Sequence, residues 1–336
     1  MEKIKFLFRV DAGQQIGLGH FYRSVSLAQY LVRQGHEVFF INKKSIFWVN
    51  VNLNFDFKSY YLENTNELEI ITNKKIDVLY VDGQIIYSQK YILELKKHSK
   101  VIFFQNLTKS RVFADIYISP SIDHDNLFFS KFPNSTKVFY GLEYFLFNSK
   151  ILKLLKNKNK SIKQNIGIIA GGSDPKNCLF KIFKLINFEK YPNQTFTFYY
   201  GVDNIGNTKK ISDFIKCPKN KHNNVKLENF DHVKILKNYI LISAFGVSTY
   251  EFLAFGKPII SVAHSSKNLQ SLNNFEVKTK SLLNVGLISC LSKDVLNKHI
   301  NRLLIDNVFN NKLRKKARST VNFNGIEKVA KILLNE

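Results

Sequence analysis

Cysteine is scarce in this chain, with Cys178, Cys217 and Cys290 alone among 336 residues. Few, widely spaced and odd in number, they suit neither a disulfide framework nor a zinc site, and they point to a reducing cytoplasm. No combination of His, Cys and Asp has metal-ligand spacing, so neither a metal nor a cofactor is expected. A GxxxxGK[ST] loop and a GxSxG elbow are both missing, which argues against an ATPase and a serine hydrolase of the α/β type. Long apolar runs are missing too. The most apolar stretch, Tyr239–Val262, is interrupted by Glu251 and Lys257 and broken by Gly246, Gly256 and Pro258. It reads as a buried strand–turn–helix–strand rather than a membrane span. Met1–Phe8 runs directly into a strand pattern, and no secretory leader is expected there.

Acidic residues are outnumbered, 26 against 50 Lys and Arg, giving a formal charge of +24. Such a field attracts nucleic acid, anionic lipid or phosphorylated ligands. Lysine and asparagine nevertheless recur everywhere with Phe, Ile and Tyr, which reads as a compositional bias. Neither an arginine-rich helix nor an RNA-binding aromatic signature is present. Phosphorylated small molecules are therefore the expected partners and nucleic acid is not; room is left for a peripheral contact with an anionic membrane. With 45% apolar and 23% charged residues the chain is globular, and it is long enough for two domains.

What is present is a repeated alternation of apolar and amphipathic runs. Lys5–Val10 reads as a strand, and His20–Gln34 as a helix with Val25, Leu27, Ala28, Leu31 and Val32 on one side, stopped by Gly35. Glu37–Ile41, Val78–Val81, Lys100–Phe104 and Asp115–Ile118 follow as strands, with a helix over Tyr87–His98. Leu154–Gln164 is polar and basic and reads as a linker. The pattern then restarts with strands at Asn165–Ala170, Thr195–Gly201, Tyr239–Ala244 and Pro258–Val262, a short helix at Tyr250–Phe255, and an amphipathic helical tail over Lys312–Leu334. Continuous apolar strands separated by helices imply parallel sheets covered on both faces. The expected fold is α/β, with two doubly wound Rossmann-like domains facing across a cleft. The expected divisions are 1–155, 156–310 and a terminal helix over 311–336. Ligands in such sheets sit beyond the carboxyl ends of the strands.

Three strand–glycine–helix junctions are candidate sites. In Arg9-Val-Asp11 to Gly17-Leu-Gly19-His20, a glycine loop opens a helix whose free N–H groups favour an anion, and His20 can act as a general base there. The alternative is a turn with a capping histidine. In Gly171-Gly172-Ser173-Asp174, the turn can cradle phosphate, or Ser173 or Asp174 can simply cap the next helix. In Gly246-Val-Ser248-Thr249-Tyr-Glu251, Ser248 and Thr249 can donate to phosphate and Glu251 can accept from ribose hydroxyls. The competing reading is a capping box from Ser248 to Glu251. His36, His98, His222, His232 and His299 read as surface or structural.

The stretch Arg9-Val-Asp11 to Ala28, with IGLGHFYRSVSLA, resembles the N-terminal signature of a sugar-nucleotide hydrolase family. This is the UDP-2,4-diacetamido-2,4,6-trideoxy-β-L-altropyranose hydrolase family of pseudaminic acid biosynthesis, related to the peptidoglycan N-acetylglucosaminyltransferase. GGSDP at Gly171–Pro175 and GVSTYEFLAFGKP at Gly246–Pro258 resemble it as well, so the likeness runs nearly the whole chain. It implies the two-domain GT-B fold and metal-free attack of water that releases UDP and a free sugar. It implies His20 as the catalytic histidine and Gly17 and Gly19 as the glycine loop; Asp11 of the same motif is the second expected catalytic residue. It also implies Glu251 as the ribose carboxylate and Ser248 and Thr249 as phosphate contacts. Arg23, Gly171, Gly172, Ser173, Gly246, Asn268 and Gln270 complete the expected substrate contacts. Three places depart from the family: Val81-Asp82-Gly83-Gln84 keeps only the acid of its motif, Phe104-Gln105-Asn106 replaces an acidic pair, and Lys267-Asn268-Leu269-Gln270 carries an insertion. All three fall where the sugar is expected to lie. The nucleotide-sugar hydrolase reading therefore stands beside a glycosyltransferase that serves a glycan, lipid-linked or protein acceptor, and beside a silent binding protein.

Overall fold

The computed structural model describes residues 2–12, 19–44, 57–122, 126–154, 162–171, 174, 176–201, 205–217 and 224–335. The chain forms two compact units: Met1–Leu152 with Phe323–Glu336, and Lys153–Asn322.

Among the described residues, the first unit holds a parallel sheet in the order β3-β2-β1-β4-β5-β6-β7. The strands are β1 (Lys5–Val10), β2 (Glu37–Asn42), β3 (Lys58–Tyr61), β4 (Val78–Asp82), β5 (Lys100–Phe104), β6 (Ile116–Ser119) and β7 (Lys137–Tyr140). Both faces are covered, which is why β1, β4 and β5 are nearly continuous apolar runs rather than alternating ones. One face packs Phe6, Phe8, Val10, Tyr80 and Phe104 against Phe21, Val25, Leu27, Ala28 and Leu31 of the helix Gly19–Arg33. The opposite face packs Leu7, Leu79, Val81 and Phe103 against Ile70 and Ile71 of one helix and Ile92 and Leu95 of another. The chain therefore leaves β1 toward one face and β4 toward the other. Between these two neighbouring strands lies the switch point of the sheet, where a doubly wound fold opens a crevice. Phe21 takes the helix position expected of Val32, which is 45% exposed.

The second unit repeats the plan in the order β10-β9-β8-β11-β12-β13. Its strands are β8 (Ile162–Ile169), β9 (Thr195–Tyr200), β10 (Val225–Asn229), β11 (Asn238–Ala244), β12 (Ile259–Ala263) and β13 (Leu283–Leu287). The switch point falls between β8 and β11. The short strands β3, β7, β10 and β13 escape the sequence reading because their apolar stretches are brief and half-buried.

The tail corrects the sequence reading. It is two helices, Asn307–Thr320 and Gly325–Asn335, rather than one set apart over 311–336. The first stays with the second unit, burying Leu313 in its core. The second returns to the first unit, where Ile326, Val329, Ala330, Ile332 and Leu333 join the core beside Phe8 and Leu31. Gly325 begins that helix directly against the Phe145 carbonyl, where a Cβ has no room. No helix among the described residues is long and apolar enough to cross a membrane.

Lys257, in the GKP turn before β12, is buried, and its ammonium donates to the carbonyls of Leu236 and Asn238. Burial, with repulsion from Arg314 and Arg318, lowers its pKa to about 7. Above that value the unfolded chain holds a proton that the folded chain has shed, so stability should rise with pH from about 7 up to the ordinary lysine range. Urea denaturation across that window should show this slope in the parent chain and a flatter curve in Lys257→Met.

Candidate active site

At the first switch point, β1 and β4 run in register so that Val10 lies beside Asp82, and β5 places Phe104 on the other side of Asp82. Asp82 is thus an acid at the carboxyl end of a fully buried strand, and its side chain has no exposed surface. A carboxylate at that depth needs donors, and the helix Gly19–Arg33 supplies them from its first turns. His20, Arg23 and Ser24, spaced i, i+3 and i+4, share one face. His20 Nδ1 lies 2.8 Å from Asp82 Oδ1. Arg23 Nε donates to Asp82 Oδ2 at 2.7 Å and its Nη2 donates to Oδ1. Ser24 Oγ donates to Oδ2 at 2.7 Å. Burial alone pushes the Asp82 pKa up, but the Arg23 charge and hydrogen bonds, with His20, outweigh it and hold the pKa lowered to about 2. The positive end of the helix favours the same anion.

His20 is the partly exposed end of this cluster. Its side chain is 23% exposed, and its ring lies on Gly83. Gly83 has φ +107, a conformation that admits glycine and leaves the ring against bare backbone. Arg23 Nη2 also stands 2.6 Å from His20 Nδ1. A single ring nitrogen cannot both donate to Asp82 and accept from Arg23. Arg23 already has Asp82 and the Gln105 side-chain oxygen as acceptors, whereas Asp82 is the carboxylate that a ring proton can meet. Nδ1–H toward Asp82 is the tautomer we assign, which leaves the lone pair on Nε2.

The structure reassigns two expected site residues. Asp11 does not meet His20; its carboxylate is paired through both oxygens with buried Arg9, and it accepts from the Lys43 amide at 2.9 Å. Burial alone raises the Asp11 pKa, but Arg9 and the Lys43 amide leave it lowered. Arg9 is also tied to Glu67 at 3.1 Å, and Glu67 accepts from Tyr87 and Tyr91. This network anchors the end of β1 on the opposite face of the sheet. Arg23, expected to touch substrate, is buried and fully engaged with Asp82, Gln105 and the face of Phe104 at 4.9 Å. Asp82 is the acid that belongs with His20. Its signal in the sequence was an acid closing an apolar strand just before a glycine. Gly19 opens the helix, while Gly17 lies outside the described residues.

In the second unit the expected residues gather at the carboxyl ends of β8, β11 and β12. Gly171 has φ +80 with open space around it. Gly172 and Ser173 lie outside the described residues. Asp174 caps the next helix by accepting from the Cys178 and Leu179 amides at 2.7 and 2.9 Å. After β11, Gly246 rather than Ser248 is the N-cap, and Thr249 reaches back to its amide at 3.3 Å. Thr249 is fully buried and also bonds Ser243 at 2.8 Å, so its hydroxyl shapes the turn from inside instead of facing a ligand. That arrangement releases Glu251 from the capping box. Its carboxylate is buried, with Oε2 3.5 Å from His232 Nε2. Ser248 is half-buried on the same turn. Asn268 is a linking residue: it accepts from the His264 amide at 3.1 Å and donates to the Phe245 carbonyl at 3.2 Å. Gln270 is exposed. His264, which the sequence reading passed over, follows β12 in this cluster. Burial lowers its pKa, with Lys176 adding to the effect and Asp174 opposing it. Among the described residues no group of three His, Cys, Asp or Glu side chains is placed to hold a metal.

No protein-family model matches the chain. An uncharacterized protein of Methanocaldococcus jannaschii is 29% identical over 276 residues, covering 76% of this chain and 55% of its own length. The chain thus spans about half of that relative. The spore coat polysaccharide biosynthesis protein SpsG of Bacillus subtilis is 23% identical over 335 residues, 96% of each chain. Among solved structures, a putative UDP-N-acetylglucosamine 2-epimerase from Listeria monocytogenes aligns with a TM-score of 0.67 at 14% identity, covering 99% of this chain and 96% of that one. MurG of Acinetobacter baumannii aligns over 100% of both chains with a TM-score of 0.64 at 14% identity. The fold is GT-B-like. Each unit has the parallel-sheet Rossmann architecture that these neighbours share, as the sequence pattern led us to expect.

Because the folded-state pKa of Asp82 is depressed, its stabilising contribution should be complete above the ordinary carboxylate range and should fade as pH falls toward about 2. Denaturation midpoints measured between about pH 5 and 2 should fall less steeply in Asp82→Asn than in the parent, from a lower starting stability.

Proposed function

We propose that this chain is a sugar-nucleotide enzyme that hydrolyses the sugar–diphosphate bond of a UDP-linked diacetamido-deoxysugar in surface-glycan biosynthesis. The observation that carries the reading is the His20–Asp82 pair at the β1/β4 switch point, with Nε2 making no hydrogen bond to a described residue. Asp82 holds the ring by Nδ1–H and stabilises the imidazolium that forms when Nε2 takes a proton. Water, losing that proton to Nε2, attacks the anomeric carbon. The carbon–oxygen bond to the diphosphate breaks, and the electron pair leaves with UDP. Nothing in this sequence of steps calls on Asp11, whose carboxylate is committed to Arg9.

The nucleotide belongs to the second unit in this reading. Gly171 puts open backbone at the end of β8, and Ser248 is placed on the turn after β11. Glu251, freed from capping by Thr249, takes the ribose hydroxyls, and His232 steadies it. The resemblance of the GVSTYEFLAFGKP stretch to the sugar-nucleotide hydrolases supports this placement. The similarity to a spore coat polysaccharide biosynthesis protein supports a role in glycan assembly. Solved neighbours titled as bound to UDP-GlcNAc or in complex with UDP support the nucleotide. A transferase would use the same imidazole on an acceptor hydroxyl; the solved neighbour titled a glycosyltransferase from Rickettsia africae keeps that second reading.

Incubation with a panel of UDP-sugars, followed by chromatography, separates the two readings. Free sugar and UDP without acceptor is the expected result, and turnover that requires an added glycan or lipid-linked acceptor would install the transferase instead. His20→Ala and Asp82→Asn should each lower turnover by about two to four orders of magnitude while UDP still binds. Parent-like rates in either variant would remove the dyad from the chemistry. Glu251→Ala should weaken UDP affinity by roughly tenfold or more, as expected for losing hydrogen bonds to a charged group, with little change in kcat. Isothermal titration with UDP measures this directly.

A further inference from the structure

Gln105 follows β5 immediately and has φ +50, a left-handed conformation that a long unbranched side chain rarely takes. Its backbone is held there from both sides. The amide donates to the Ile118 carbonyl at 2.8 Å, and the carbonyl accepts from Gln84 Nε2 at 2.8 Å. Gln84 Oε1 in turn accepts from the Leu107 amide at 2.9 Å, and Asn106 Nδ2 donates to the Ile85 carbonyl at 2.7 Å. The loops after β4 and β5 are thereby laced together. Strain kept in place by so many bonds has a consequence, and here it is the aim of the side chain. Gln105 Oε1 accepts from Arg23 Nη1.

We propose that Gln105 is a positioning residue for His20: it holds the Arg23 guanidinium against Asp82, and it does so without bringing a second charge to the cluster. Arg23 has three nitrogens to satisfy in a buried place. Two go to Asp82, and the third needs an acceptor. A carboxylate there would satisfy it equally well but would make the cluster net negative, which shifts the balance toward the imidazolium. A neutral amide leaves the Asp82 and Arg23 charges balanced beside the His20 ring. Among the described residues, the charged and titratable groups facing the imidazole are Asp82 from β4 and Arg23 from its own helix, with the Gly83 backbone beneath the ring and Gln105 beyond Arg23. The inference rests on the proposed role of His20 as a base, yet it can be tested without substrate.

The test is a pH titration of the His20 ring resonances by NMR on the full chain, with the resonances assigned by comparison with His20→Gln. In Gln105→Glu, which keeps the length and the acceptor, the titration midpoint should move upward by about one pH unit. A midpoint within about 0.2 of the parent, in a chain that still melts cooperatively, overturns the proposal, since that threshold lies well inside the shift a nearby carboxylate produces. Gln105→Asn tolerates the left-handed backbone but is one methylene too short to reach Arg23. It should retain UDP binding and lose about tenfold in kcat at unchanged KM, with the acidic limb of the pH–rate profile displaced. A parent-like kcat and profile in that variant also overturns it. An upward NMR shift in a chain that turns over no UDP-sugar would uphold the positioning role and sink the substrate reading alone.

Discussion

The burial of the Asp82 carboxylate at the end of β4 governs the arrangement of the first unit. Removing one partner of a buried charge pair costs about 3–5 kcal/mol, so a lone carboxylate with no exposed surface could not remain charged where β4 leaves it. Ser24, Arg23 and His20 answer that demand from one helical face, and the geometry of the whole crevice follows from their doing so. The helix must begin just before His20 and must lie over the β1/β4 junction. Gly83 must be glycine, because its left-handed backbone forms the surface on which the ring rests. Stability and chemistry are coupled here: the same anion that requires the helix also sets the ring tautomer.

Two buried ionic networks flank the end of β1, and they divide the labour. Arg9, Asp11, Glu67, Tyr87 and Tyr91 close one face of the sheet and fix where the strand stops. Burial, with the neighbouring Glu67 charge, raises the Tyr87 pKa well above the ordinary value, so its hydroxyl stays a donor to Glu67. His20, Asp82 and Arg23 occupy the other face and carry a ring nitrogen that makes no hydrogen bond to a described residue. The alternation of side chains along β1 separates them, since Arg9 points opposite to Phe8 and Val10. A motif that reads as one unit along the chain, Arg9-Val-Asp11 and then His20, is thus distributed over both faces of a sheet.

The second unit handles its polar groups differently. Its turns are capped from within, by Asp174 after β8 and Thr249 after β11, which keeps side-chain oxygens pointed inward. Open space surrounds the backbone at Gly171, and the buried Glu251 carboxylate lies beside His232. A nucleotide is the ligand we propose there.

Much of this was legible in the amino-acid sequence, for a physical reason. Parallel strands buried on both faces must be continuous apolar runs, so β1, β4, β5 and β11 announce themselves, and the glycines between strand and helix mark the turns. The alternation itself specifies a doubly wound fold in two halves. Only the tertiary structure decided which acid serves the histidine, because Asp11 and Asp82 each follow a strand, and the choice depends on which sheet face each side chain takes and which arginine meets it. The same holds for Arg23 and Thr249, polar residues in a candidate motif whose hydrogen bonds point inward. Only the fold could send Gly325–Asn335 back to the first unit, since its apolar face fits any covered sheet and the choice turns on the close approach of Gly325 to Phe145.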